Sequence, residues 1–244
     1  MKMQQVLSRV RKAVEDYHMI DEGDCIAVGI SGGKDSLTLL CSLAALKKFY
    51  PKRFDLKAVT IDLGFKDMDL TPVKKLCEEL DVEYVIEKTD IAQIVFEERK
   101  ESNPCSLCAK MRKGALNEII KQMGCNKIAY AHHKDDVVET MLLSLFYEGR
   151  FHCISPVTYL DKTQITVIRP LIYMHEADVK GFVRRYDVPV VKSACPVDKK
   201  TKREYIHQIV TMLNKDVPGI KNRMFTAISD SYLPGWSKDN EARY

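Results

Sequence analysis

No stretch of this 244-residue sequence approaches the roughly 20 consecutive apolar residues that cross a bilayer as a helix, so no membrane association is expected. It also lacks a low-complexity tract and an internal repeat, which leaves an ordinary globular chain, large enough for a main domain with a small appendage. Charge of one sign is not in excess. The 38 basic against 34 acidic residues leave +4, too mild to prove a nucleic-acid partner. A secretory signal is missing: Lys2, Arg9, Arg11 and Lys12 interleave with Val6, Leu7, Val10 and Val14 as an amphipathic helix, and Glu15 and Asp16 follow at once. A cytoplasmic address is therefore expected. In that setting eight cysteines read as reduced thiols or ligands rather than a disulfide framework.

What is present is an alternation of apolar strand-length runs with helical patterns. Strands are predicted at Cys25 to Ile30, Leu56 to Leu63, Glu83 to Ile86, Lys127 to Ala131 and Ile165 to Ile168. Helices are predicted over Leu37 to Phe49, Thr71 to Leu80, Ile91 to Arg99, Cys108 to Met123, Asp135 to Phe146, Glu176 to Tyr186 and Glu204 to Leu213, followed by a small C-terminal segment that ends polar. Such units predict an α/β fold with a doubly wound, mostly parallel five-stranded sheet and helical additions at both ends. The expected division is an N-terminal helix over 1–22, an α/β domain over 23–192, and a helical segment over 193–244. In doubly wound sheets ligands collect beyond the carboxyl ends of the strands, where Ser31, Asp62 and the His132 to Asp136 run all fall.

Ser31-Gly32-Gly33-Lys34-Asp35-Ser36 joins the first strand to a helix start. Two glycines let the backbone approach an anion, the helix N-terminus offers free N–H groups, Lys34 adds a cation, and two serines add hydroxyls. Walker A spacing is absent, because Val28 stands five residues before Gly33 and Asp35 follows the lysine. A plain strand-to-helix turn would leave the serines, lysine and aspartate without a reason. The hexapeptide resembles the PP-loop signature of the N-type ATP pyrophosphatases. That resemblance implies cleavage of ATP between its alpha and beta phosphates and adenylation of a carbonyl oxygen.

His132, His133, Asp135, Asp136 and Glu139 gather metal- and proton-competent groups at the fourth strand-to-helix turn. Zinc spacing is missing, and hard carboxylate oxygens suit Mg²⁺ held together with substrate phosphates. The simpler reading makes Asp135 the helix N-cap, with solvated neighbours. The segment is similar to the Gly-His-x-x-Asp-Asp-x-x-Glu-Thr block of PP-loop enzymes acting on tRNA, with Ala131 in place of the glycine. It implies nucleotide or Mg²⁺ contact for Asp136, with Asp35 a second possible Mg²⁺ ligand.

Cys105-Ser106-Leu107-Cys108 is open to reading as a redox pair, half a zinc site, part of an iron–sulfur site, or two packed thiols. Cys195, in Ala194-Cys195-Pro196, is a candidate third partner. The remaining cysteines, Cys25, Cys41, Cys77, Cys125 and Cys153, read as packing residues. Basic runs at Lys110 to Lys113 and Lys199 to Arg203 are candidate phosphate-backbone contacts or solvated faces.

Taken in order, the Ser31 to Ser36 loop, Cys105-x-x-Cys108 with Lys110-Met111-Arg112-Lys113-Gly114, the His132 to Thr140 block, Ile168-Arg169-Pro170-Leu171 and Cys195 resemble the tRNA 2-thiocytidine synthetase (TtcA) family. The resemblance spans about Asp24 to Glu204. It implies thiolation of an anticodon-loop cytidine in tRNA, dependence on ATP and Mg²⁺, and a [4Fe-4S] cluster on Cys105, Cys108 and Cys195. With Asp35, these cysteines are the implied catalytic residues. Arg112 would reach the phosphates, and Gly29, Ile30, Ile61 and Ala131 would line the nucleotide. A sulfur donor, either cysteine desulfurase-derived or inorganic sulfide, and a homodimer complete the expectation. One departure bears on the target nucleotide: Asp198 stands where better-known members carry a second late cysteine. The related two-thiouridine synthetases add zinc-binding cysteine pairs, which cannot form here because no cysteine precedes Cys25 or follows Cys195. Rival readings are thiolation of a uridine or another substrate, a cluster-free ATP-dependent tRNA ligase or amidating enzyme, and a non-catalytic ATP- or redox-binding module.

Overall fold

Apolar runs at Asp24–Gly29 (β1), Phe54–Asp62 (β2), Glu83–Lys88 (β3), Lys127–Ala129 (β4), Val157–Leu160 (β5) and Ile165–Ile168 (β6) pair into one sheet of order β3-β2-β1-β4-β6-β5. The computed structural model describes residues 1–65, 68–99, 104–192, 194–196 and 202–236. Its helices are α1 (Met3–Asp16), α2 (Lys34–Lys47), α3 (Thr71–Glu79), α4 (Ile91–Gln93), α5 (Pro104–Gln122), α6 (Lys134–Glu148), α7 (Glu176–Tyr186), α8 (Lys202–Asp216) and α9 (Ile220–Ser229). Strand pairs are parallel except β5 with β6. The strand order reverses between β1 and β4, which opens a crevice beyond their carboxyl ends.

Period-two alternation sends the strand side chains to two cores. Ile26, Val28, Leu56 and Ala58 face one side, with buried residues of α1, α2 and α7. Ala27, Val59, Ile61 and Ile128 face the other, against α5 and the Ile91–Val95 region. Nearly every residue of α2 from Ser36 to Leu46 is buried, as a helix enclosed on all sides requires. Val6, Val10, Ala13 and Val14 of α1, Ile206 and Val210 of α8, and Phe225 and Ile228 of α9 join the same core. Among the described residues no helix is long and apolar enough to cross a membrane.

The sheet has six strands, not the five predicted. The addition, β5, is a four-residue antiparallel edge strand whose Tyr159 is exposed, too short for its alternation to register. The helix predicted over Ile91 to Arg99 is instead the short α4 running into a π-helical turn over Ile94–Glu98. α5 begins by Pro104, so Cys105, expected ahead of the helix, lies with Cys108 on its first turns. α9 lies within the expected C-terminal helical segment, in a stretch for which no helix bounds were predicted.

At the amino ends of β1 and β4, Lys127 lies 2.7 Å from Asp24 Oδ2 and 2.9 Å from Asp21 Oδ2, with Asp24 only 4% exposed. Removing one member of a buried pair strands the other's charge. Lys127→Met is therefore expected to cost about 3–5 kcal/mol in urea melts. Adding Asp24→Asn, which keeps an acceptor and removes the charge, should recover part of that loss.

Candidate active site

β1 ends where the chain must turn into α2, and the turn is built from its own hydroxyls. The Ser36 hydroxyl donates to Gly33 O at 3.0 Å and accepts the Ser31 N–H at 3.2 Å, while the Ser31 hydroxyl accepts the Gly33 N–H at 3.3 Å. Gly33 is the N-cap of α2 and provides no side chain to bond the first-turn N–H groups, so they face the crevice. Gly32 has φ +77°, and a Cβ there would meet Val191 Cβ at 3.0 Å. The Val191 N–H donates to Gly32 O at 2.9 Å. This contact ties the loop to the segment that continues to Cys195.

Lys34 is held from two sides, 2.8 Å from Asp35 Oδ2 and 3.2 Å from Glu176 Oε1 at the start of α7. Burial works against its ammonium, but the two carboxylates outweigh burial and raise its pKa. The other oxygen of Asp35 is buried with no hydrogen-bond partner; His133 Nε2 lies 3.6 Å away. Ile30 is fully engaged along its backbone, donating its N–H to Val59 O at 2.8 Å and accepting from Thr60 Oγ1 at 3.0 Å. Gly29 lies under the Tyr130 ring, whose Cε1 would sit 3.4 Å from a Cβ. Ile61 is buried and Ala131 half-buried at neighbouring strand ends. Asp62 accepts the Gly64 N–H at 2.9 Å and so serves its own loop.

The fourth loop departs from the Asp135 cap. His133 is the N-cap of α6, and Asp136 three residues on accepts the His133 N–H at 2.9 Å. Asp135 points inward instead, accepting from Lys221 Nζ at 2.6 Å and the Glu176 N–H at 2.8 Å, with His175 Nδ1 at 3.6 Å. Burial alone would raise its pKa, but bonds from His175, Lys221 and the Glu176 backbone overcome burial and hold it well below the usual carboxylate range. Asp136 Oδ1 lies 3.4 Å from Arg203, which also reaches Thr140 at 3.0 Å. Arg203 thus contacts the site residues Asp136 and Thr140 while its side chain stays 41% exposed. Lys199, Lys200, Thr201 and Asp198 lie outside the described residues. Glu139 is bonded to His207 at 2.7 Å and, chiefly through burial, has a raised pKa.

Cys105 is exposed, while Cys108 and Cys195 are half-buried. Burial raises the Cys108 pKa, Arg112 one turn further along α5 lowers it, and Cys195 and Cys105 each add to the rise. The other two thiols therefore stand within electrostatic reach of Cys108. Among the described residues no three His, Cys, Asp or Glu side chains lie close enough to hold a single metal ion. A four-iron cube spreads its thiolates wider than one ion's ligands, and three thiols beside an arginine fit such an anionic group. The partnerless Asp35 oxygen likewise fits a Mg²⁺ that draws its remaining ligands from phosphates and water.

Sequence reasoning missed Glu176, Lys221 and His207 as partners of site residues. Glu176 had a signal, since it starts the helix after a parallel strand; Lys221 and His207 had none. Arg169 and Tyr130 also face this edge, and burial raises the pKa of Tyr130 against the lowering effect of Arg112 and Arg169.

A glycine loop opening a helix at the switch point, with a lysine held by carboxylates, defines a PP-loop protein. The model of the PP-loop domain family matches residues 2–213. Within that class the chain belongs to the tRNA-cytidine(32) 2-sulfurtransferase family. It is 40% identical over 224 residues to the protein of that name from Pelobacter propionicus, covering 91% of this chain and 83% of that one. It is 36% identical over 244 residues to the one from Geotalea uraniireducens, covering 98% and 96%. Among solved structures it is similar to the U34-tRNA thiolase NcsA from Methanococcus maripaludis with its [4Fe-4S] cluster, with a TM-score of 0.76 and 25% identity, covering 92% of this chain and 76% of that one.

Because the folded pKa of Asp135 lies below its unfolded value, its stabilisation is complete above the unfolded pKa of about 4 and fades as pH falls through the folded value. Asp135→Asn should cost about 2–3 kcal/mol at neutral pH, and the gap to wild type should narrow between about pH 5 and pH 2 in urea melts.

Proposed function

We propose that this protein is an ATP-dependent tRNA thiolation enzyme that adenylates C2–O of a cytidine in the anticodon loop and replaces that oxygen with sulfur. The observation that carries the reading is the meeting of two chemistries at one sheet edge. The Ser31–Ser36 loop lies at the mouth of the crevice, and Val191 on Gly32 leads the chain to Cys195, within electrostatic reach of Cys108. The names of the relatives support tRNA as substrate, and position 32 as the target.

ATP phosphates would rest on the uncapped first turn of α2, with Lys34 and Arg112 supplying positive charge. Mg²⁺, held by phosphate oxygens with Asp35 and Asp136, would neutralise charge as pyrophosphate leaves. The cytosine O2 attacks the alpha phosphorus and the bond to the bridging oxygen breaks, so the base carries AMP and pyrophosphate departs. Hydrosulfide, supplied as inorganic sulfide or released from a persulfide donor by a thiol reductant that is oxidised to a disulfide, then adds to C2, and AMP leaves with the former carbonyl oxygen. The protein's contribution is mainly a fixed field around the phosphoryl group. Lys34 is already oriented by Asp35 and Glu176, so little reorganisation remains when the phosphates arrive. Cys105, Cys108 and Cys195 would hold a [4Fe-4S] cluster, which when bound supplies an iron free of protein ligands where sulfur can be kept. Glu139 and His207 keep Arg203 against Asp136. A cytoplasmic homodimer is the proposed working form.

Anaerobic purification with iron and sulfide analysis tests the reading. Wild type should carry about four irons per chain, and Cys105→Ala, Cys108→Ala and Cys195→Ala should each lose them while remaining folded. Wild type should also release AMP and pyrophosphate in step with thiolated tRNA. Cysteine variants that keep full ATP-dependent activity on tRNA would move the protein to the ligase class.

A further inference from the structure

We propose that Tyr130, His132 and Arg169 form the pocket for the nucleobase that is thiolated, with Arg169 reading the ring nitrogen N3 of cytosine. The assignment rests on the thiolation reading above and adds to it the residues that select the base.

Placement comes first. Tyr130 and His132 follow β4, and Arg169 follows β6, the strand beside it, where Ala129 pairs with Ile168. The Tyr130 N–H donates to Ile168 O at 3.0 Å, so these residues leave the sheet side by side. The Tyr130 ring covers Gly29 at the root of the phosphate loop and meets the His132 ring edge-on at 5.8 Å. Arg112, one turn beyond Cys108 on α5, bears electrostatically on both Tyr130 and Cys108. The group thus adjoins the root of the ATP cradle and shares Arg112 with the thiols, and a base to be thiolated must meet both the alpha phosphate and sulfur.

Missing partners come second. Arg169 Nη1 donates to Ser155 O at 2.6 Å and to Thr158 Oγ1 at 3.1 Å, which fixes the guanidinium against β5. Its Nε is buried with no partner, and among the described residues no carboxylate pairs with it. His132 Nδ1 is buried and equally unpartnered. Buried polar atoms are normally satisfied, so two orphans on one wall point to a ligand that completes them. Burial pushes His132 down to about 4, with the Arg169 charge adding to the effect, so the imidazole is neutral and offers one donor and one acceptor nitrogen. A neutral ring, an aromatic neighbour and one free N–H suit a planar heterocycle better than a second phosphate.

The chemistry then selects the base. A guanidinium N–H only donates. Cytosine N3 is an acceptor, whereas uracil N3 carries a hydrogen and meets Arg169 donor to donor. The 4-amino group of cytosine can donate to His132, where uracil presents an oxygen. A bond from Arg169 to N3 also draws electron density from C2, the carbon that sulfur attacks. Mismatched buried donors are the type of contact that rejects analogues strongly.

The test uses the anaerobically prepared holoenzyme with tRNA transcripts carrying C or U at the target position. Arg169→Gln, whose amide both donates and accepts, should lower kcat on the C transcript about 100-fold and bring the C-to-U ratio toward one. The KM for ATP and the iron content should stay within about twofold of wild type. Arg169→Lys, which keeps the donor-only charge, should retain the preference for C at reduced rate. His132→Asn, remote from the bonds to β5, should show the same loss of preference and guards against misfolding of the Arg169 variants. Unchanged kcat and preference in folded variants, or a loss confined to the KM for ATP, would overturn the pocket. Wild type that thiolates neither transcript would instead sink the thiolation reading itself.

Discussion

One buried carboxylate organises the site. Asp135 accepts from Lys221 near the start of α9 and from the first N–H of α7, and it stands in the first turn of α6. Three helix starts are thereby fixed to one side chain. Glu176, whose N–H bonds Asp135, is also the residue that reaches Lys34. The orientation of the phosphate-loop cation thus depends on a carboxylate that never meets the phosphates. Loss of Asp135 would free α7 first, and the loop lysine would follow. Helix N-termini carry partial positive charge, so gathering them around an anion is favourable as well as geometric.

The charges around the crevice fall into two groups with different tasks. Lys34 and Arg203 have carboxylate partners and are held in place before any ligand arrives. Arg169 has only neutral acceptors, and burial lowers its pKa to about 10, which leaves it a cation at neutral pH. A paired cation already has its charge balanced before phosphate binds, so its net gain is modest. A cation without a counter-charge gains from almost any acceptor that reaches it. Recognition is therefore concentrated at the unpaired group and preorganisation at the paired ones.

The sequence was legible where local rules decide. Parallel strands buried on both faces read as continuous apolar runs, and the Ser31 to Ser36 loop announces itself because two glycines and a helix start are adjacent in the chain. β6 and α7 begin and end where the pattern placed them. The failures share a cause. β5 has four residues and one exposed face, so its pattern is too short to separate from a loop. The capping role of His133 was missed because Asp135 is the better cap former by residue type, and partners 41 and 86 residues away, the Glu176 N–H and Lys221, explain why it turns inward. Partnerships such as Lys34 with Glu176 are properties of the fold, and no local pattern encodes them.

Burial divides the eight cysteines more sharply than spacing does. Cys41 and Cys77 lie in the core with pKa values pushed up to about 11, and Cys153 accepts the Trp236 indole N–H at 3.0 Å. Such thiols are poor nucleophiles and poor ligands at neutral pH. Cys125, driven up to about 12 by burial and its bond to Cys25, belongs with them, although Cys25 Sγ lies 3.0 Å from its own Sγ. That pair sits at the amino ends of β1 and β4, while the phosphate loop and the base pocket occupy their carboxyl ends. Cys105, exposed, and Cys108 and Cys195, half-buried, stand apart from that pair, at the edge where Arg112 counters part of the effect of burial on Cys108. A site that handles sulfur, as proposed above, gains from this separation, because a reactive thiol in the core would compete for the same metal and sulfur.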